Sequence, residues 1–270
     1  MKRIFAVFLL ITLAFGPIFA AEKGKPVIVF VHGAWGGGWQ FSKVAPLFEA
    51  RGYVVYRPTL TGLGERVHLA STAVGLATHI EDIVNMIRFE NLHDVILVGH
   101  SYGGMVITGA ADRASDRVGK LVYLDAANPA DGQSLADLAG PMITSQQEYG
   151  KVVDGTELVM LPETYDLMWQ LRDYFGIDDP AERAWLKERL TPQPWKTFAQ
   201  PLRLQNEQAL AAIPQFHVVC EQNYQYNKDS ELFAQASAAG RLWRIDTGHD
   251  LMITEPEAVT AALMEIAASS

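Results

Sequence analysis

Short β-branched runs alternate with longer helical patterns along this chain, and that alternation leaves few folds open. The runs are Val27 to Val31, Tyr53 to Tyr56, Val95 to Val98, Leu121 to Leu124, Phe216 to Cys220 and Leu242 to Ile245. They are apolar nearly throughout, as strands buried on both faces are. Helical patterns between them, at about Phe41 to Ala50, Thr78 to Phe89, Tyr102 to Ala111, Glu231 to Ala238 and Glu257 to Ala267, imply an α/β fold. The expected sheet is mostly parallel, with about six strands and helices on both faces. With 270 residues, 49% of them apolar, one large domain fits better than two. The alternation breaks between Ala126 and Gln215, a stretch with helical patterns and many aromatics but no clear strand. An insertion at about 126–215 is most simply a helical lid over the strand ends.

The N-terminus has a different character. Lys2 and Arg3 precede an apolar run from Ile4 to Phe15, after which Gly16 and Pro17 lead to Ala20, Ala21 and Glu22. This is the pattern of a secretory signal peptide. At ~1.5 Å per residue the run reaches about 18 Å, short of a ~30 Å hydrocarbon core, so a lasting membrane span is disfavoured. The expectation is a leader over residues 1–21 and a mature, exported domain over 22–270, periplasmic or extracellular, with cleavage after Ala20 or Ala21.

Basic residues number 22 against 31 acidic, for a formal charge of −9, and no stripe of Lys or Arg could neutralise phosphates, which argues against nucleic acid as a partner. Cys220 is the only cysteine, so neither an intramolecular disulfide nor a thiolate metal cluster can form. At the end of an apolar strand it reads as a small buried hydrophobe.

Three motifs carry chemistry. The first is Val95-Ile-Leu-Val-Gly99-His100-Ser101-Tyr102-Gly103-Gly104, a G-x-S-x-G match with an apolar strand before it and a helical pattern after it. Small residues two before and two after Ser101 let the chain turn sharply and present the hydroxyl, as a nucleophile elbow requires. The second is His32-Gly33-Ala34-Trp35-Gly36-Gly37-Gly38 at the end of the first strand. Acyl transfer needs preorganised N–H donors for its oxyanion, and Ala34 and Tyr102 are the candidates. A phosphate cradle is the other reading of such glycines, but no Lys-Ser or Lys-Thr follows them. His32 is expected to order this loop. The third is Ile245-Asp246-Thr247-Gly248-His249-Asp250, with a histidine just past the last strand. Of the seven histidines, His249 is the candidate base; His100 flanks the nucleophile, and its side chain is expected to point elsewhere.

The elbow, His32-Gly33-Ala34-Trp35 and Thr247-Gly248-His249 resemble the plant methylesterase and hydroxynitrile lyase branch of the α/β hydrolases, which includes bacterial pyrethroid-hydrolysing esterases. The likeness runs through the whole chain after the leader. It implies the α/β-hydrolase fold, a sheet starting at the third strand of the full fold, a lid before the penultimate strand and no cofactor. Many members carry the triad acid after the penultimate strand, where this chain has Cys220-Glu221-Gln222-Asn223. Asp125, closing the strand before the lid, is the expected replacement, with Glu221 and Asp229 as weaker contenders.

The expected activity is therefore hydrolysis of a small, hydrophobic or aromatic carboxylic ester through an acyl-enzyme, with Ser101, His249 and Asp125 as the triad and no metal required. Met160, Tyr165, Met168, Trp169, Tyr174, Phe175, Trp185 and Trp195 offer apolar surface in the lid, either as its own core or as a pocket lining. Two rivals share the fold. Hydroxynitrile lyases of this branch typically have Thr and Lys where this chain has Gly33 and Asp250, and an ionised Asp250 would repel departing cyanide. A small-ligand receptor is disfavoured by the apparently intact nucleophile, base and oxyanion loop.

Overall fold

The computed structural model describes residues 25–161 and 170–269. The expected leader therefore lies outside the described residues, as do Tyr165, Met168 and Trp169 of the insertion. Strands β1 (Ile28–Val31), β2 (Val55–Tyr56), β3 (Val95–His100) and β4 (Val118–Leu124) build one half of the central sheet. After the insertion, with its strands β5 (Lys151–Val153), β6 (Thr156–Val159) and β7 (Gln193–Pro194), come β8 (Gln215–Cys220) and β9 (Leu242–Ile245). The sheet has six strands in the order β2-β1-β3-β4-β8-β9, and every pairing in it is parallel. All four residues of β1 and all six of β3 are buried, which is why these runs show no polar alternation.

From β1 the chain crosses one way to β2 and then back past β1 to β3. Loops leaving β1 and β3 at their carboxyl ends diverge there, opening the crevice where ligands of open α/β sheets bind. The residues after these strands are the Gly-rich loop from His32 and Ser101.

Helix α1 (Ala45–Glu49) is shorter than the pattern predicted: Gly38–Phe41 forms a separate 3-10 turn, and Pro46, which suits a first helical turn, delays the helix. Helices α2 (Leu76–Phe89) and α3 (Gly103–Arg113) keep close to their expected bounds. They meet where a side chain at Gly109 would lie 2.3 Å from Ile80 Cδ1, so glycine permits the approach. On the sheet, Phe30 stacks on Phe41 with ring centroids 4.5 Å apart.

The insertion corrects one expectation. Besides helices α4 (Leu135–Ala139) and α5 (Pro141–Thr144), it holds a three-stranded sheet, β5-β6-β7, in antiparallel pairing. Asp154 (φ 48°) and Gly155 (φ 77°) make the turn between β5 and β6. An Asp-Gly pair in left-handed conformation is a favoured two-residue hairpin turn, and Val153-Asp154-Gly155-Thr156 was the signal available for it. The strands escaped the periodicity argument because they are only two to four residues long, too short for a period of two to show. Among the described residues no helix is long and apolar enough to cross a membrane.

Candidate active site

Ser101 sits at φ 53° between β3 and α3, a left-handed turn that few non-glycine residues adopt. Its neighbours explain why the turn must be flanked by glycine. A side-chain carbon at Gly99 would stand 2.7 Å from the Gly103 carbonyl oxygen, and one at Gly103 would stand 2.6 Å from that of Val31. Gly104 is tighter still, at 1.9 Å from the Ala127 carbonyl oxygen. That oxygen belongs to backbone and cannot rotate away. Gly104→Ala is expected to destabilise the fold by about 3 kcal/mol, measured as a lower urea midpoint at unchanged slope. A near-native midpoint would contradict the close approach.

His249 follows β9 and is 6% exposed. Its Nδ1–H donates to Asp125 Oδ2 at 2.6 Å, which leaves Nε2 bare to act as a base. Asp125, 3% exposed, also accepts from the Cys220 backbone N–H at 3.0 Å, from Asn223 Nδ2 at 3.0 Å and from the Cys220 thiol at 3.4 Å. A carboxylate buried this deeply needs such donors. Burial by itself would raise Asp125, but the His249 bond and charge, Asn223 and the Cys220 N–H together bring it below the ordinary carboxylate value. Burial works the other way on His249, lowering it, and the Asp125 bond and charge more than offset this, so the imidazole is raised above its ordinary 6.5. Asn223, at the position where many relatives place the acid, therefore serves Asp125 as a donor. Glu221 instead pairs with Arg244 at 2.8 Å. Cys220 is 1% exposed, and burial followed by the Asp125 charge pushes its thiol up to about 12, as suits an inert side chain.

The Gly-rich loop after β1 is held from several sides. His32 Nδ1–H donates to the Gly33 carbonyl oxygen at 2.8 Å, and His32 Nε2 accepts from the Leu60 N–H at 3.0 Å, the ordering role expected of it. Two glutamines that sequence reasoning missed hold the amides on either side of Ala34. The Gly33 N–H donates to Gln40 Oε1 at 3.1 Å, and the Trp35 N–H to Gln193 Oε1 at 2.8 Å. Gln193 stands on β7, so the small sheet of the insertion anchors this loop. Ala34 lines the same cavity as Ser101, Tyr102 follows Ser101 in the chain, and among the described residues neither amide N–H has an acceptor. An acyl-transfer oxyanion requires preorganised N–H donors of this kind.

His100 does not point away as expected. Its ring packs 4.7 Å from that of His249, and Nε2–H donates to the His249 carbonyl oxygen at 3.0 Å. Burial, then the His249 cation, pushes it down to about 3, so it stays neutral. It also explains Gly33: a side chain there would meet His100 Nδ1 at 2.8 Å, leaving no room for the threonine of the lyases. Asp250 is 1% exposed, and burial pushes its carboxyl up to about 7. Near neutrality it is divided between charged and neutral forms, so the cyanide-repelling charge expected of it is only partial.

Gly33, Ala34, His100, Ser101, His249 and Asp250 face one cavity of about 320 Å³, within the range of small-ligand sites. Ser101 and His249 both line it, with no hydrogen bond joining their side chains, a contact that hydrolytic sites commonly tighten on binding. Its apolar walls come from Leu135, Ile143, Leu161, Tyr174 and Phe175 of the insertion. Of the aromatics expected there, Tyr174 and Phe175 take this role. Trp185 instead packs on Trp39 and Trp195 on Phe198, with centroids 5.2 and 6.0 Å apart.

Residues 28–262 match the sequence profile of the alpha/beta hydrolase family. The chain is 42% identical over 177 residues to a carbendazim hydrolyzing esterase of Nocardioides sp. (strain SG-4G), covering 65% of this chain and 72% of that one. It is 26% identical over 267 residues to methylesterase 2 of Arabidopsis thaliana, covering 91% and 97%. An extracellular alpha/beta-hydrolase from a Paenibacillus species superposes with a TM-score of 0.72 at 22% identity, over 89% of this chain and 98% of that one.

Proposed function

Since the chain belongs to the alpha/beta hydrolase family, we propose that it is a serine esterase that cleaves small hydrophobic or aromatic carboxylic esters. The observation that carries this reading is the 2.6 Å bond from His249 Nδ1 to the buried Asp125, which turns Nε2 of the imidazole toward base duty in the cavity that Ser101 lines. The names of the Nocardioides and Arabidopsis relatives, both esterases, agree with it.

In this mechanism Ser101 Oγ attacks the ester carbonyl carbon while its proton passes to His249 Nε2. Asp125 stabilises the imidazolium, and the Ala34 and Tyr102 N–H groups receive the oxyanion. The imidazolium returns the proton to the alcohol oxygen as the C–O bond breaks, leaving an acyl-Ser101. Water then attacks the acyl carbon, giving its proton to His249, and the tetrahedral intermediate collapses to the acid as the imidazolium returns that proton to Ser101 Oγ. The apolar walls select the acyl or alcohol group by burial. A fluorophosphonate probe should label Ser101 alone, and p-nitrophenyl esters of graded chain length should be turned over by the mature protein.

The same proposal includes export. The leader pattern of residues 1–21 supports it, and the Paenibacillus structural relative is described as extracellular. N-terminal sequencing of the exported fraction of the producing cell should begin near Ala21 or Glu22. Recovery of only full-length, membrane-embedded chain would count against it.

A further inference from the structure

Trp35 follows Ala34, the amide assigned to the oxyanion, and lines the same cavity. It sits at φ 58°, in the left-handed region that a bulky residue occupies only where its surroundings hold it. Those surroundings belong to the insertion. The Trp35 N–H donates to Gln193 Oε1 at 2.8 Å, the indole Nε1–H donates to the Val159 carbonyl oxygen at 3.1 Å, and the Trp35 carbonyl accepts from the Thr191 N–H at 2.9 Å. Gln193 is fully buried, and its orientation is fixed. A backbone N–H is always a donor, so the atom facing Trp35 is the amide oxygen, and Nε2–H is left to donate to Thr197 Oγ1 at 2.7 Å. The peptide carrying the Ala34 N–H lies between two anchored N–H groups, that of Gly33 on Gln40 and that of Trp35 on Gln193. Phe198, just after β7, packs edge-on against the rings of both Trp35 and Tyr102, with centroids 5.6 and 5.7 Å apart, so one short segment of the insertion reaches both oxyanion residues.

Resting on the esterase reading, we propose that Gln193 is a positioning residue of the oxyanion hole: it fixes the Ala34–Trp35 peptide and, through it, the direction of the Ala34 N–H. The insertion then does more than wall the cavity, because it sets the rate of reaction. Without Gln193 the Trp35 N–H is a buried donor lacking an acceptor, and rotation of the peptide beside Ala34 relieves that cost. Gln193 does not line the cavity, so its loss leaves the walls that bind the ester in place. What suffers is the transition state, since oxyanion donors act only when held in the direction of the developing charge.

The test is Gln193→Met, which nearly keeps the volume and removes the acceptor. Measured on the mature protein are kcat/KM for p-nitrophenyl butyrate and the Ki values of two inhibitors of the same shape. Phenethyl trifluoromethyl ketone forms a bond from Ser101 Oγ to its carbonyl carbon; the serine proton passes to His249 and the carbonyl oxygen becomes an oxyanion. The corresponding phenylpropanamide binds without reacting. In Gln193→Met, kcat/KM should fall and the ketone Ki should rise, each about tenfold or more, while the amide Ki stays within about twofold. Wild-type kcat/KM and ketone affinity in the variant, or equal weakening of ketone and amide, would overturn the proposal. Should Gln193→Met fail to fold, Thr197→Val carries the same comparison, because it removes the acceptor that holds Nε2 and Thr197 does not line the cavity either. A smaller separation of ketone from amide is expected there, and no separation overturns the proposal. Absence of fluorophosphonate labelling at Ser101 in the wild type would instead defeat the esterase reading on which it rests.

Discussion

Ser101→Ala is expected to lower kcat on p-nitrophenyl esters by about 10⁶-fold, the scale on which a serine hydrolase loses its nucleophile. Only the oxyanion donors and the walls of the cavity would remain to favour reaction with water, and these leave a residual acceleration of roughly 10³–10⁴-fold. The loss should fall on kcat, because the hydroxyl is absent from the apolar walls that bind the ester. The protein should remain folded, since Ser101 is only partly buried and its tight turn depends on the glycines around it. Fluorophosphonate labelling should vanish in the same variant. Turnover at the wild-type rate by Ser101→Ala would remove the acyl-enzyme from consideration, whatever else the cavity binds.

Asp125→Asn should reduce turnover by about 10⁴-fold, by analogy with other triads in which the aspartate becomes an amide. The surroundings of Asp125 say why. Oδ1 accepts from the Cys220 N–H and from Asn223 Nδ2, so an asparagine would turn its oxygen to these donors and its NH₂ group to His249. The imidazole would then accept at Nδ1 and carry its proton on Nε2, the tautomer that cannot take a proton from Ser101. The pH profile should move as well. In the wild type His249 must be neutral to act, and its pKa is raised above 6.5, so kcat/KM should fall as pH drops through a value above 6.5. Without the Asp125 charge the effect of burial prevails and the imidazole titrates lower. Asp250 titrates at about 7 beside it, so the acid limb of the wild type belongs to both groups. The His249 ring is therefore followed directly by NMR. Near-native turnover in Asp125→Asn, with Glu221→Gln or Asp229→Asn inactive, would move the acid elsewhere while leaving the esterase reading in place.

Features written into a few adjacent residues were legible without a structure. The inner strands could be located because a strand buried on both faces is apolar along most of its length, the edge strands β2 and β9 are only partly buried, and the parallel pairing followed from the helices between the strands. Gly99, Gly103 and Gly104 marked a turn that admits no side chains, and the structure shows the backbone oxygens responsible. Asp125 could be singled out because a carboxylate ending a buried strand needs a partner. The Asp154-Gly155 hairpin was equally local, but its strands were too short to leave a period.

Tertiary structure decided what depends on residues distant in the chain. Gln193 holds the Trp35 amide across 158 positions, and Asn223 reaches Asp125 across 98; neither glutamine nor asparagine carries a pattern that names its partner. His100 lies next to Ser101 in sequence, yet the direction of its ring is set by the His249 carbonyl 149 residues away. Backbone conformation and burial on a strand are imposed mainly by neighbouring residues and leave local patterns. Hydrogen bonds between side chains and remote backbone are imposed by packing, which brings together groups whose chemistry fits many partners and selects one by position alone.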